Sequence, residues 1–175
     1  SMAHLFLGVS EEHRRTRFGG RMTKDDYTSM IYDFAKKTAE RPEFERIMFS
    51  PEDSFRAYQQ DPEFFFEVLE AANRGYEEGN ASVGRTAPPI FNLPDTTGGS
   101  TIMQFDKVIV EAQKRFPEAD FSVHGHNDVQ TSNGQAWDVY ERRGVRFIQT
   151  TFGNTGERNG IARTDLAIKV FEGNG

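Results

Sequence analysis

Five short apolar runs, each followed by a polar segment and then by apolar residues at helical spacing, predict an α/β fold. Such alternation implies parallel strands joined by right-handed crossovers. Length and composition agree with one domain: 175 residues give room for a real core, and no composition shift marks a linker.

The first strand is expected over His4 to Val9. A polar, Arg-rich loop follows from Ser10 to Arg21, then a helix carrying Tyr27, Met30, Ile31, Phe34 and Ala35 at helical spacing. Arg46 to Phe49 reads as the second strand and Ser50 to Arg56 as its polar exit. Phe64, Phe65, Val68, Leu69, Ala72 and Tyr76 spell the second helix. Gly79 to Ala87 reads as an excursion in the loop before the third strand, Ile90 to Leu93. Pro94 to Ser100 then leads to a helix through Ile102, Phe105, Val108, Ile109, Ala112 and Phe116. Phe121 to Val123 is the fourth strand, with a polar exit from His124 to Asn133 and a helix around Trp137 and Tyr140. The fifth unit is Val145 to Thr150, a Gly-rich exit from Gly153 to Gly160, and a helix bearing Leu166, Ile168, Val170 and Phe171. Trp137 and the Phe64-Phe65-Phe66 run read as packing residues. Ser1-Met2 reads as the remnant of a cleaved tag, leaving residues 3–175 as the domain.

With 21 Lys+Arg against 27 Asp+Glu the formal net charge is −6, which excludes a general binder of nucleic acid or anionic membrane. The 16 Phe among the aromatic residues argue against disorder. The absence of cysteine excludes disulfides, thiolate zinc sites and a cysteine nucleophile. No stretch approaches the roughly 18 uninterrupted apolar residues of a membrane span, and no leader opens the chain, so a cytoplasmic protein is expected.

Parallel α/β sheets place their chemistry where strands hand over to helices. His124-Gly125-His126-Asn127-Asp128 stands at such an edge. In extended chain, residues i and i+2 point to the same side, so both imidazoles can face one point, as a divalent metal needs. The oxygen ligands that would complete the site are Glu52, Asp53, Asp95 or Asp128, each equally suited to hold a loop as a hydrogen-bond acceptor. Gly153 to Gly160 opens onto a helix and suits either an anion or a tight turn braced by Glu157 and Arg158. Arg56 is suited either to clamp a substrate carboxylate or to pair with Asp53. Asp95, beside the hydroxyls of Thr96 and Thr97, either joins a site or caps the next helix.

These motifs, in this order, resemble the metal-dependent Claisen-condensing enzymes, homocitrate synthase and 2-isopropylmalate synthase. The resemblance rests on the His124 to Asp128 segment, Gly156-Glu157-Arg158-Asn159-Gly160, Phe49 to Arg56, and Asn92-Leu93-Pro94-Asp95-Thr96. Ser10 to Arg14 is similar to the loop after that family's third strand. The resemblance implies a partial (β/α)8 TIM barrel of about five units, strands three to seven, in which a divalent metal (Mg, Mn or Zn) binds a 2-oxo acid. Acetyl-CoA would supply the attacking enolate. It implies His124 and His126 as metal ligands, with Asn127 and Asp128 bracing their loop. His13, Ser50, Arg56 and Thr96 are the candidate substrate-binding residues, and Glu52, Glu157 and Arg158 the candidate catalytic ones. A homo-oligomer is expected, because an open parallel sheet exposes its edges.

Departures from the family pattern accompany the match. No Arg-Asp motif of the kind that supplies the family's acidic ligand precedes Ala3. Met48 stands where the homocitrate type has an arginine, and Ile161 where the isopropylmalate type has a metal-contacting asparagine. Val129 to Asn133 replaces a smaller Gly- and Ala-rich run. A carbon–carbon lyase or aldolase of the same superfamily, and a non-catalytic metal- or anion-binding fragment, are the alternative functions.

Overall fold

The computed structural model describes residues 1–173, so Asn174, Gly175 and the side chain of Val170 lie outside the described residues. Its strands are β1 (Met2–Gly8), β2 (Arg46–Glu52), β3 (Ile90–Asp95), β4 (Asp120–Gly125) and β5 (Phe147–Ile148). They form one parallel sheet in the order β1-β2-β3-β4-β5. Between and after them run α1 (Glu11–Phe18), α2 (Lys24–Ala39), α3 (Ser54–Gln60), α4 (Pro62–Ser82), α5 (Ile102–Arg115), α6 (Ser132–Arg143), a 3-10 turn (Phe152–Asn154) and α7 (Thr164–Gly173).

A parallel sheet in sequential order, with crossovers of one hand, carries its helices on one face, and this is the barrel arrangement. Along each strand, alternate side chains therefore serve different surroundings. The outward rows hold Leu5 and Leu7, Ile47 and Phe49, Phe91 and Leu93, and Phe121 and Val123, which merge with the helices into the main hydrophobic cluster. The opposite rows carry His4 and Phe6, Met48, Ser50 and Glu52, Ile90, Asn92 and Pro94, Ser122 and His124, and Phe147 and Gln149. Their register is set by the pairs Phe6–Ser50, Met48–Ile90, Asn92–Ser122, Pro94–His124 and Ser122–Phe147. The central strand β3 is buried along its whole length.

The helices begin where their side chains can cap them. Ser10, Thr23, Asp61 and Thr101 each accept a backbone N–H of the first turn, and Thr23–Asp26 and Thr101–Gln104 close reciprocal capping boxes. No helix of the described residues is long and apolar enough to cross a membrane.

Five expectations change. Ser10 to Arg21 is not a loop throughout. It holds α1, with Glu11 and Glu12 in the first turn, Arg15 and Arg17 in the last, and Gly19 as a left-handed cap. The strand β2 continues through Pro51 to Glu52, and the rest of its supposed exit begins α3. The helix α4 runs through Gly79 to Ser82. Gly75 and Gly79 do not break it because they are its contact with α2: a Cβ on Gly75 would lie 2.5 Å from Tyr32 O, and one on Gly79 2.5 Å from Ala39 Cβ. The fifth strand shrinks to Phe147–Ile148, paired with β4 alone. Finally, β1 runs Met2–Gly8 rather than from His4 to Val9, with Met2 paired to Arg46.

The Gly79 contact gives a prediction of sign. Helix propensity alone would make Gly79→Ala stabilising by about 1 kcal/mol. The clash with α2 makes it destabilising by about 1–3 kcal/mol instead. Urea unfolding decides between them, and a stabilised variant would refute the close crossing.

A second prediction concerns pH. Arg143 of α6 grips Asp106 of α5 through Nε–Oδ1 at 2.6 Å and Nη2–Oδ2 at 2.8 Å. These bonds, with Arg142 nearby, hold the Asp106 carboxyl below its ordinary value. A depressed carboxyl contributes stability above its unfolded value, and loses it as pH falls through the folded one. Asp106→Asn should therefore cost about 1 kcal/mol at neutral pH. The deficit should fade below about pH 4; a deficit independent of pH would contradict the ion pair.

Candidate active site at the carboxyl edge of the sheet

The ends of β1 to β4 and the segment after β5 surround a cleft of about 440 Å³. Of the residues singled out from sequence, it gathers His13, Ser50, Glu52, Thr96, His124, His126, Glu157 and Arg158. His4, Phe6, Asn92, Pro94 and Gln149 join them, and sequence reasoning had not placed these in a site. The signal that connects them is strand parity with register: they lie on the row opposite the core, where Phe6 pairs with Ser50 and Pro94 with His124.

His124 is the penultimate residue of β4 and His126 follows the strand. The backbone of His126 is pinned on both sides, its N–H donating to Asp95 O (3.2 Å) and the residue bridging to Ile161. The two Nε2 atoms stand 3.3 Å apart. Two nitrogens each about 2.0–2.1 Å from one ion, at an angle between square and tetrahedral, would be about 2.9–3.4 Å apart, so the pair fits two coordination positions. Burial holds both imidazoles below the usual histidine value, with Arg158 acting in the same direction on His126. They are therefore neutral near pH 7, as ligands must be. His124 Nδ1 lies 2.6 Å from Gln149 Oε1, while His126 Nδ1 is buried with no partner among the described residues. Among the described residues no cluster of three His, Cys, Asp or Glu completes a metal site.

The carboxylates considered as further ligands have other work. Asp53, buried and in a left-handed conformation (φ 64°), receives Arg56 Nε at 2.6 Å and faces His13 Nδ1 at 3.5 Å. Asp95 Oδ2 accepts the Ser100 N–H at 2.9 Å, so it ties the loop before α5, and Thr101 rather than Asp95 caps that helix. Asp128 accepts Arg158 Nε at 3.1 and 3.2 Å, and that guanidinium holds its carboxyl low. Glu52 is different: it lines the cleft and has no ion pair or side-chain hydrogen bond among the described residues.

Arg56 does not reach the cleft. Its guanidinium is committed to Asp53, with Glu12 at 4.0 Å, so the ion-pair alternative is the one the structure contains. The loop from Gly153 to Gly160 does not open a helix. It coils through left-handed Gly153, Asn154, Arg158 and Gly160, bonds back to Asn127 N through Gly160 O (2.9 Å), and reaches α7 only at Thr164. Arg158 crosses it to Asp128 and to Thr96 O, and also faces Glu157 at 3.6 Å. Asn127 is buried and accepts Ser132 Oγ at 2.7 Å, anchoring the histidine loop to the start of α6.

The floor is polar and internally bonded. Ser50 Oγ accepts Asn92 Nδ2 at 2.7 Å and lies 2.6 Å from His4 Nε2. Thr96 Oγ1 accepts the Asp53 N–H at 2.8 Å, which leaves its own proton available. His13 packs on Gly8, where a Cβ would stand 2.6 Å from its Cγ.

A sequential parallel sheet, covered on one face and opening a polar cleft at its carboxyl ends, is a run of five (β/α) units of a TIM barrel. The chain belongs to the HMGL-like family, whose profile matches residues 1–175. It is 31% identical over 174 residues to a 2-isopropylmalate synthase of Prochlorococcus marinus (strain MIT 9515), a match covering 96% of this chain and 28% of that protein. A 2-isopropylmalate synthase of Synechococcus sp. (strain CC9605) is 31% identical over 171 residues, with the same coverage of 96% and 28%. The chain thus spans about 28% of the length of these curated relatives. The N-terminal domain of a candidate aldolase from Bacteroides vulgatus shares the fold, with a TM-score of 0.66 at 14% identity, covering 99% of this chain and 47% of that one.

Gly8→Ala should push His13 off the strand end, moving its ring resonances and lengthening its approach to Asp53, at a stability cost of about 1–3 kcal/mol. Unchanged His13 resonances in a variant of unchanged stability would contradict this packing.

Proposed function

We propose that this chain carries the metal- and 2-oxo-acid-binding part of an acyl-CoA:2-oxo acid condensing site of the 2-isopropylmalate/homocitrate synthase type. The observation that carries the reading is the convergence of two neutral imidazoles, Nε2 to Nε2 at 3.3 Å, on a cleft that also holds Glu52, Ser50 and Thr96. His124 and His126 would hold a divalent metal (Mg, Mn or Zn), with oxygen donors filling its other positions. When bound, such an ion polarises a 2-keto group as a Lewis acid.

The chain's own residues supply the remainder. Thr96 donates its free hydroxyl proton to the substrate carboxylate. Ser50, fixed by Asn92 and His4, presents an immobile hydroxyl to the body of the acid. Glu52, without an ion-pair partner among the described residues, is the group to hold or move a proton. Arg158 and Asp128 act on loop position, tying Thr96 and the histidine loop together. Asn127 supports that loop from behind. Acetyl-CoA is the proposed acyl donor, and leucine or lysine biosynthesis the setting such a reaction would serve.

Calorimetric titration with Mn²⁺, then with 2-oxo acids in its presence, tests the binding half without requiring turnover. His124→Ala and His126→Ala should each weaken the ion by about tenfold or more, and 2-oxo acid binding should require the metal. Unchanged affinity in both variants would overturn the reading. Thiol release from acetyl-CoA across a panel of 2-oxo acids tests the condensation, and acetyl-CoA or pyruvate formation from hydroxy acids would favour a lyase instead.

A further inference from the structure

A histidine ligates a metal through the ring nitrogen whose lone pair is free, so the other nitrogen must carry the proton. At His124 the neighbour that decides this is Gln149, whose Oε1 lies 2.6 Å from Nδ1. A carbonyl oxygen only accepts, so the proton sits on Nδ1 and Nε2 keeps its lone pair toward the cleft. Glutamine is ambivalent where a carboxylate is not. Turned over, its NH₂ would donate to Nδ1 and force the proton onto Nε2, the nitrogen that faces His126. Something must therefore hold the amide in one orientation.

Met48 is placed to do so. Its Sδ lies 3.6 Å from Gln149 Nε2, and a thioether accepts but cannot donate. Met48 is 3% exposed, on the same inward row as Ser50 and Glu52. It therefore offers the amide a weak acceptor and nothing for a carbonyl to accept from. Among the described residues His126 has no equivalent device, because its buried Nδ1 finds no partner there. Among the described residues, the tautomer of the pair is set from the His124 side alone.

We infer that Gln149 is a positioning residue that selects the Nδ1–H tautomer of His124, and that Met48 holds the Gln149 amide in the accepting orientation this requires. The inference rests on the metal-centre reading above. Its chain of control runs from a buried thioether to an amide to an imidazole, and ends on the Nε2 lone pair.

The test combines nitrogen-resolved NMR of the histidine rings in metal-free protein, at about pH 8 where they are neutral, with Mn²⁺ calorimetry. Wild-type His124 should show the Nδ1–H tautomer. Gln149→Leu should give mixed tautomers at His124 and bind Mn²⁺ about 10–100-fold more weakly. Gln149→Glu, which can only accept, should keep both the tautomer and the affinity. Met48→Leu, close in volume, should shift the tautomer with a smaller loss of affinity. A Gln149→Leu protein that folds, retains the wild-type tautomer and binds Mn²⁺ as wild type does would overturn the inference. Failure of the parent reading gives a different signal: Mn²⁺ affinity indifferent to His124→Ala and His126→Ala, whatever the tautomer.

Discussion

Adjacent parallel strands joined by right-handed crossovers must carry their helices on one face, and the site depends on that constraint. The outward rows are spent on the core, where Phe49, Phe91, Leu93, Phe121 and Val123 meet the helices. The inward rows are released from that duty. They hold Ser50, Asn92, Ser122, His124 and Gln149, residues that a helix-covered face would not tolerate without partners. Near the carboxyl ends of β2 to β5 these side chains converge on the cleft, while Met48 and Ile90, buried apart from the main cluster, fill the row beneath.

The second constraint is the pinning of the histidine loop. Strand β4 delivers His124 in extended conformation, but His126 lies beyond the ladder and needs other restraints. Its N–H is held by Asp95 O, its neighbour Asn127 by Gly160 O and Ser132 Oγ, and Asp128 by Arg158. The coil from Gly153 to Gly160 makes these contacts by repeated left-handed turns, and Gly160 is required there because a Cβ would stand 2.4 Å from Asn154 O. The loop shapes the rim of the site through its own chain path. It is not an anion-binding helix start.

Much of this was legible in the sequence because period-two and period-3.6 patterns of Phe, Ile, Leu and Val are direct consequences of a one-sided core. The same logic gave the His124–His126 pair, since residues two apart on a strand share a side. What escaped lacked an apolar signature. The helix α1 buries no residue, so only its caps and end charges betray it. Gly75 and Gly79 look like helix breakers until the backbone of α2 is seen against them. Arg56 and Asp95 stood in sequence beside the right motifs, yet local geometry turned them to Asp53 and to Ser100. Gln149 and His4 were hidden for the opposite reason: they sit inside apolar runs, and only strand register brings them to His124 and Ser50.

The proposed function rests on one arrangement, two imidazole Nε2 atoms 3.3 Å apart at the cleft. Pulsed electron paramagnetic resonance of Mn²⁺ bound to the protein reads that arrangement directly through nitrogen coupling. The account predicts two directly coordinated imidazole nitrogens, falling to one in His124→Ala and in His126→Ala. A bound ion surrounded by oxygen donors alone would contradict it.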